Sequence, residues 1–407
     1  MTQLSDTYDA LIVGGGPAGT SAAIHLAISG ARVLLVEQKK FPREKLCGEF
    51  ISPECLDIFA RLGVAESMLR ADGVRLTETV FYARNGNSVS IPSEWFGQAR
   101  VSALGLSRAE MDARLLSRAR QVGVEVREEV QATNLIIEDG RVCGVLLKKD
   151  GGDITSERAL VTMDATGRTR ALARRVEKSE QDNNRKRQKQ TRLVAFKAHL
   201  NGAQGTPGHC EIYVYRGGYG GLNLVENGMS NLCFIALARD VRACGGDAQR
   251  VMREVVMRNR RAGWTLEQAR NVSPWLAVAL DSFGRLCLIP AAGLLAIGDA
   301  AAFIDPFTGS GMLMALESGE LAALSVMRHL SRLGQPGMFD LLANDYCVHY
   351  SRKFASRLRV SAVLRRAAFI PRVAEAMIFT LGASERVRRQ LARATRKTPD
   401  DLRMPVT

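Results

Sequence analysis

Three glycines spaced Gly14-x-Gly16-x-x-Gly19, followed by a carboxylate at Glu37, are residues of this chain suited to holding a pyrophosphate. Gly14 permits a tight turn, Gly16 lets the backbone approach a phosphate, and Gly19 lets a helix pack closely on a strand. Pro17 and Ala18 open that helix, whose unpaired N–H groups and positive dipole end favour anions. Glu37 can accept hydrogen bonds from ribose hydroxyls. The surrounding segments fit these roles. The apolar run from Tyr8 to Val13 reads as a strand, and Pro17 to Ser29 as a small-residue helix stopped by Gly30. Ala31 to Val36 reads as a second strand ending at Glu37. The sum is a βαβ unit for a dinucleotide. No arginine directly follows Glu37, which disfavours a 2′-phosphate.

Three later segments select FAD over NAD. Asn134 to Thr166 carries short alternating strands with Asp139-Gly140 and Asp150-Gly151-Gly152 turns, ending in Asp164-Ala165-Thr166-Gly167-Arg168. Leu294 to Gly298 is a strand ending in Gly298-Asp299, where Asp299 can hold a ribitol hydroxyl. Asp305-Pro306-Phe307-Thr308-Gly309-Ser310-Gly311 then opens a long apolar helix from about Met312 to Leu333. Its first N–H groups and dipole would stabilise negative charge at the N1/C2=O edge of a reduced flavin.

These motifs together resemble the para-hydroxybenzoate hydroxylase superfamily, which comprises flavoprotein monooxygenases, geranylgeranyl reductases and flavin halogenases. The resemblance spans about residues 5 to 335. It implies a mixed α/β fold: a Rossmann-like FAD-binding domain with a β-meander, an antiparallel-sheet substrate domain, and C-terminal helices. It also implies that Arg108 contacts FAD and that the Asp164 segment, with Gly167, lies near the pyrophosphate and the approach of NAD(P)H. The chain carries no second glycine fingerprint, which fits a superfamily whose members bind NAD(P)H transiently or receive reduced flavin from elsewhere.

Within the superfamily, Lys45-Leu46-Cys47-Gly48-Glu49-Phe50-Ile51-Ser52-Pro53-Glu54 is the informative stretch. Ser52 and Pro53 start a helix that Gly63 ends. Cys47-Gly48 is similar to a segment that lies by the flavin ring in geranylgeranyl reductases. Cys47 then either faces the flavin as a weak proton donor or is a structural thiol. Arg43 and Lys45 either raise its thiolate fraction or bind cofactor phosphate. The reductase pattern is incomplete: Gly217-Gly218-Tyr219 is present, but the following tryptophan and Phe-Pro are not. The paired-tryptophan halogenase signature is absent, since Ile91-Pro92 precedes Trp95.

The expected boundaries are 1–75, 100–178 and 283–335 for the FAD-binding domain, 76–99 and 179–282 for the substrate sheet, and 336–407 for a basic helical segment. In the substrate layer Leu193 to Leu200, Glu211 to Tyr215 and Asn231 to Leu237 read as strands, with Tyr213, Tyr215 and Tyr219 as candidate pocket residues. Tyr219 and Cys47 are the catalytic candidates. The polar run Lys178 to Arg192 reads as a solvated linker. The eight cysteines and five histidines are scattered, so neither disulfides nor a metal site is expected.

The net charge of +14 is concentrated after about residue 342, with Pro371 dividing the basic helical stretch. Such a stretch reads first as ordinary packed helices with a solvated face, and it can also cap a pocket or lie on an anionic membrane. Without interleaved aromatics it does not read as a nucleic-acid surface. No signal peptide or membrane span is evident, so a cytoplasmic protein, free or peripheral to a membrane, is expected. The first functional expectation is NAD(P)H-dependent monooxygenation of a hydrophobic small molecule through a flavin C4a-hydroperoxide. C=C reduction of an isoprenoid or other lipid is the alternative, and a non-turning, membrane- or partner-docked redox flavoprotein the third.

Overall fold

The computed structural model describes residues 7–96, 101–149, 151–181, 193–280 and 283–395. Its first sheet is built on Tyr8–Val13, which pairs in parallel with Val33–Glu37 on one side and with Ile154–Asp164 on the other. Glu125–Glu128 extends the sheet beyond Val33–Glu37, and Leu294–Ala296 adds in parallel to the end of Ile154–Asp164. All five residues of Val33–Glu37 are buried, as a parallel strand covered on both faces requires.

The eleven-residue strand Ile154–Asp164 serves two sheets. Residues 159–164 lie beside Tyr8–Val13, while residues 154–158 pair antiparallel with Arg141–Lys149. Arg141–Lys149 pairs in turn with Val130–Glu138, which completes the meander.

Two helices form the buried layer over the parallel sheet. Pro17–Ile28 starts at Gly16 with proline in its first turn, and nine of its twelve residues are buried. Small side chains let it lie against Gly311–His329, and Ser21 Oγ donates to the Leu316 carbonyl at 2.8 Å.

The second sheet runs Arg270–Asn271, Leu193–Asn201, Ser230–Leu237, Gly218–Leu224, His209–Tyr215, Glu78–Tyr82, Ser88–Pro92, with Leu276–Leu280 also on Leu193–Asn201. Its pairings are antiparallel except His209–Tyr215 with Glu78–Tyr82. One face packs under the helical segment 238–265 through Phe196, Tyr213, Tyr215 and Phe234. The other face is turned to the interior described below.

The C-terminal chain forms Met338–Ala368, Pro371–Ala383 and Glu385–Ala394. The first packs one face into the protein. Leu342, Tyr346, Tyr350, Phe354, Arg357, Ser361, Leu364 and Ala368 are buried at helical spacing. Tyr346 Oη donates to the Ala296 carbonyl at 2.9 Å, and Arg357 pairs with Glu317 at 2.6 Å. Pro371 begins the second helix at a position where its missing N–H is harmless. Of the polar run 178–192, residues up to Gln181 belong to the helix Ala173–Gln181, and the remainder lies outside the described residues.

Candidate active site

Between the two sheets lies one continuous cavity of about 710 Å³. At one end it begins on the glycine turn. Gly14 has φ +115°, and a Cβ there would stand 2.3 Å from the Ala165 carbonyl oxygen. Gly19 touches no part of the cavity; a Cβ there would meet the Gly14 carbonyl at 1.9 Å, so it serves helix–strand packing as its spacing suggests. Gly16 is open: a Cβ there would meet only the guanidinium nitrogens of Arg108 and Arg43, at 3.8 and 4.0 Å. Pro17 and Ala18 line the cavity beside it. Glu37 is buried, accepting the Gly15 and Lys39 N–H groups at 2.9 and 3.0 Å.

Three cations converge on this end. Arg43 and Arg108 share Asp112, at 3.0 Å from Arg43 and 2.6 Å from Arg108. Burial opposes the charge on Arg108, but Asp112 outweighs it and keeps the guanidinium protonated. Lys45 has a lowered pKa, from burial first and then from Arg43 and Arg108. Arg43 Nε is buried with no hydrogen-bond partner. Crowded cations over an open glycine backbone suit a pyrophosphate, so the residues fit FAD.

Gly298 and Asp299 line the middle of the cavity, followed by Pro306, Gly309, Gly311 and Met312. Gly309 is left-handed, φ +62°, and closes the short turn Pro306–Thr308 before the helix Gly311–His329. Burial raises the pKa of Asp299, opposed by Arg168, Arg108 and Lys45.

Asp164 departs from the expectation of direct cofactor contact. It is fully buried and does not line the cavity. One oxygen accepts the Thr166 N–H and hydroxyl, at 3.0 and 2.6 Å; the other accepts the Leu172 and Ala173 N–H groups, at 3.1 and 2.9 Å. The carboxylate is used up in shaping the loop, and that loop's Ala165, Thr166, Gly167 and Arg168 reach the cavity.

Cys47 and Gly48 stand where this groove meets the second sheet. Asn231 Nδ2 donates to the Cys47 carbonyl at 3.2 Å, and the Glu49 N–H lies 3.4 Å from Cys47 Sγ. Of the two roles open to Arg43 and Lys45, activating the thiol has no support in its surroundings. Burial raises its pKa, and the opposing cation is Arg108. The thiol is therefore neutral at physiological pH, with a counter-ion ready should it lose its proton. Alkylation by iodoacetamide is expected to be slow at pH 8 and to accelerate only above pH 9. Mass spectrometry of the Cys47 peptide checks this, and rapid labelling at pH 7 would contradict it.

Of the three tyrosines considered for the pocket, only Tyr219 lines it. Tyr213 Oη bonds Glu211 and Tyr215 Oη bonds the Ile235 carbonyl, both on the far side of the sheet. The Tyr219 hydroxyl donates to Asp305 Oδ1 at 2.6 Å. Burial and Asp305 raise its pKa far above the ordinary value. A catalytic role for that hydroxyl gives way to a positioning one, since Asp305 also accepts the Phe307 N–H of the flavin-side turn at 3.0 Å.

A buried ionic cluster went unread in the sequence. Glu49, with φ +52° and no exposure, accepts the Arg108 N–H at 3.0 Å and meets His199 Nε2 at 2.6 Å. Lys197 Nζ is 3.1 Å from Glu49 and also bonded to Glu44. Glu44, Glu49 and His199 have ligand atoms close enough to share a metal ion, but the Lys197 ammonium already supplies their cation. The signal available in the sequence was two ionisable residues, Lys197 and His199, on one face of an otherwise apolar strand.

Beyond Cys47 the cavity turns apolar. Phe81, Val89, Ile91, Ile212 and Val214 line it from the sheet, and Leu364, Met377, Ile378 and Leu391 from the C-terminal helices.

The FAD binding domain family matches residues 7–322, more than three quarters of the chain. The chain belongs to that family. It is an FAD-dependent oxidoreductase of the para-hydroxybenzoate hydroxylase superfamily. It is similar to a menaquinone reductase of Mycolicibacterium smegmatis, 27% identical over 89% of this chain and 86% of the relative. A digeranylgeranylglycerophospholipid reductase of Methanosarcina acetivorans is 29% identical over 81% of this chain and 77% of its own. A flavin-dependent brominase shares the fold at TM-score 0.77, with 21% identity over 96% of this chain and 93% of its own.

Proposed function

We propose that this flavoprotein reduces a carbon–carbon double bond in a long apolar substrate of the isoprenoid class, with NAD(P)H as the reductant. The observation that carries the reading is the apolar arm of the cavity, which leads to the neutral Cys47 thiol at the edge of the cofactor groove. The similarity to reductases named for menaquinone and geranylgeranyl lipids supports it. No tryptophan is among the described residues lining the cavity, so nothing there supports the halogenase reading.

Reduction of an alkene adds a hydride to one carbon and a proton to the other. Bound FAD, once reduced, supplies the hydride. The chain supplies the rest. Phe81, Ile91, Ile212 and Val214 hold the alkene in a dry channel. Cys47 Sγ donates the proton, and the thiolate left behind is stabilised by Arg108 and by the Glu49 N–H. Glu49, Asn231 and Lys197 hold the Cys47 loop in place.

The test is turnover of a geranylgeranyl lipid under strict anaerobiosis with NAD(P)H. The saturated product is expected, and Cys47→Ala should lower kcat by roughly 10²-fold or more with KM little changed. Turnover that requires oxygen and yields a hydroxylated or epoxidised product would replace this reading with monooxygenation. Unchanged kcat in Cys47→Ala would remove the thiol from the chemistry.

A further inference from the structure

The C-terminal helices present an apolar outer face that meets the inner cavity. Val373, Ala376 and Thr380, with Arg372, line a shallow outer groove of about 440 Å³. Met377 and Leu381 line that groove and the inner cavity alike. Ala374 and Ile378 lie on the inner side of the same helix. Met377 and Leu381 therefore stand between the substrate channel and the outer groove, and methionine repacks readily.

The outer face is unusual in two respects. Large apolar side chains are exposed close together: Val363 at 64%, Ile370 at 53%, Val373 at 40% and Phe379 at 76%. Elsewhere such residues are mostly scattered singly, as is normal on a soluble protein. Residues 359–395 also carry eight arginines against two glutamates. Arg359, Arg366, Arg372, Arg386 and Arg393 are exposed. Exposed apolar side chains interspersed with arginine along these helices are complementary to a bilayer with an anionic surface: the apolar groups enter the acyl boundary and the guanidiniums stay with the headgroups.

We propose that Pro371–Ala383 docks on anionic phospholipid bilayers and that Met377 and Leu381 form the gate through which a lipophilic substrate passes from the bilayer into the cavity. This rests on the proposed lipophilic substrate for its purpose, but docking itself can be measured without turnover. Phe379, Val373 and Ile370 form the inserted wedge.

The experiment uses the FAD-loaded protein and vesicles of phosphatidylglycerol and phosphatidylcholine, compared with phosphatidylcholine alone. Co-sedimentation is expected only with the anionic vesicles and should weaken with added salt. Phe379→Ser with Val373→Ser, and separately Arg366→Glu with Arg372→Glu, should each reduce partitioning by about tenfold or more while the bound-flavin spectrum stays unchanged. In a Phe379→Trp variant, vesicles with brominated acyl chains should quench the added fluorescence. Equal binding of wild type and variants, no binding to anionic vesicles, or no quenching would overturn the proposal. So would a wild-type dimer that becomes monomeric in Phe379→Ser, since the face would then belong to a second copy. Anionic docking without anaerobic alkene reduction would uphold the surface and reject the proposed reaction.

Discussion

Glu49→Ala is expected to destabilise the protein by about 3–5 kcal/mol, the range for removing one partner of a buried ion pair. The Glu49 carboxylate meets His199, Lys197 and the Arg108 N–H, and none of these can turn to bulk water. Lys197 would keep only Glu44, which is itself partly exposed. The loss also frees a backbone held at φ +52°, a conformation unfavourable for a non-glycine residue. The Cys47 loop should loosen with it, because the Glu49 N–H contacts Sγ. Glu49→Gln retains the side-chain oxygen and should lose distinctly less. Denaturant unfolding of the two variants measures the difference. Equal midpoints for Glu49→Ala and wild type would show that the cluster contributes nothing.

Gly14→Ala is expected to yield a protein that is purified largely without FAD. The added Cβ would stand 2.3 Å from the Ala165 oxygen, at a backbone φ of +115°. Ala165 donates its N–H to the Val13 carbonyl at 2.9 Å, so it cannot move away without parting two central strands. Backbone strain and overpacking together cost about 2–6 kcal/mol, and the turn that presents Gly16 to the phosphates is displaced. The ratio of flavin to protein absorbance reads cofactor content, and thermal unfolding reads stability. Gly334→Ala is the control, since its glycine has open space and ordinary φ. A Gly14→Ala protein with full flavin content and an unchanged melting temperature would refute the argument.

The cofactor end of the site was legible because its determinants are local. Gly14, Gly16, Gly19 and Glu37 fall within one βαβ unit, where the order of strand, turn and helix dictates which group faces the ligand. Asp299 and the Pro306–Gly311 turn are equally local. Asp164 shows the limit of that logic. Its position after a strand was readable, but which way its carboxylate points depends on Leu172 and Ala173, whose N–H groups take it.

The tyrosines depended on register. Tyr219 pairs across the hairpin with Val214, so the two share the cavity face, while Tyr213 and Tyr215 alternate to the other. Nothing local in the sequence states that pairing. The Glu49 cluster was harder still, since His199 lies 150 residues away along the chain. The charge after residue 342 was visible, but not its division. Met338–Ala368 buries Arg357 against Glu317, whereas the following helices keep most of their arginines outside.

The parallel sheet also has a bearing on how the chain is made. Tyr8–Val13 is translated before its sheet partners and becomes an interior strand, and Ile154–Asp164 can join it early. Its partner on the far side, Leu294–Ala296, is translated about 130 residues later, after the whole second sheet. Until then one edge of the nascent sheet has unpaired backbone groups, a template for association between chains. Gly311 and Met312, which line the cofactor groove, emerge later again. Flavin contacts with Gly311 and Met312 form only after the second sheet has been translated, so the unpaired edge is exposed to association while that sheet is being made.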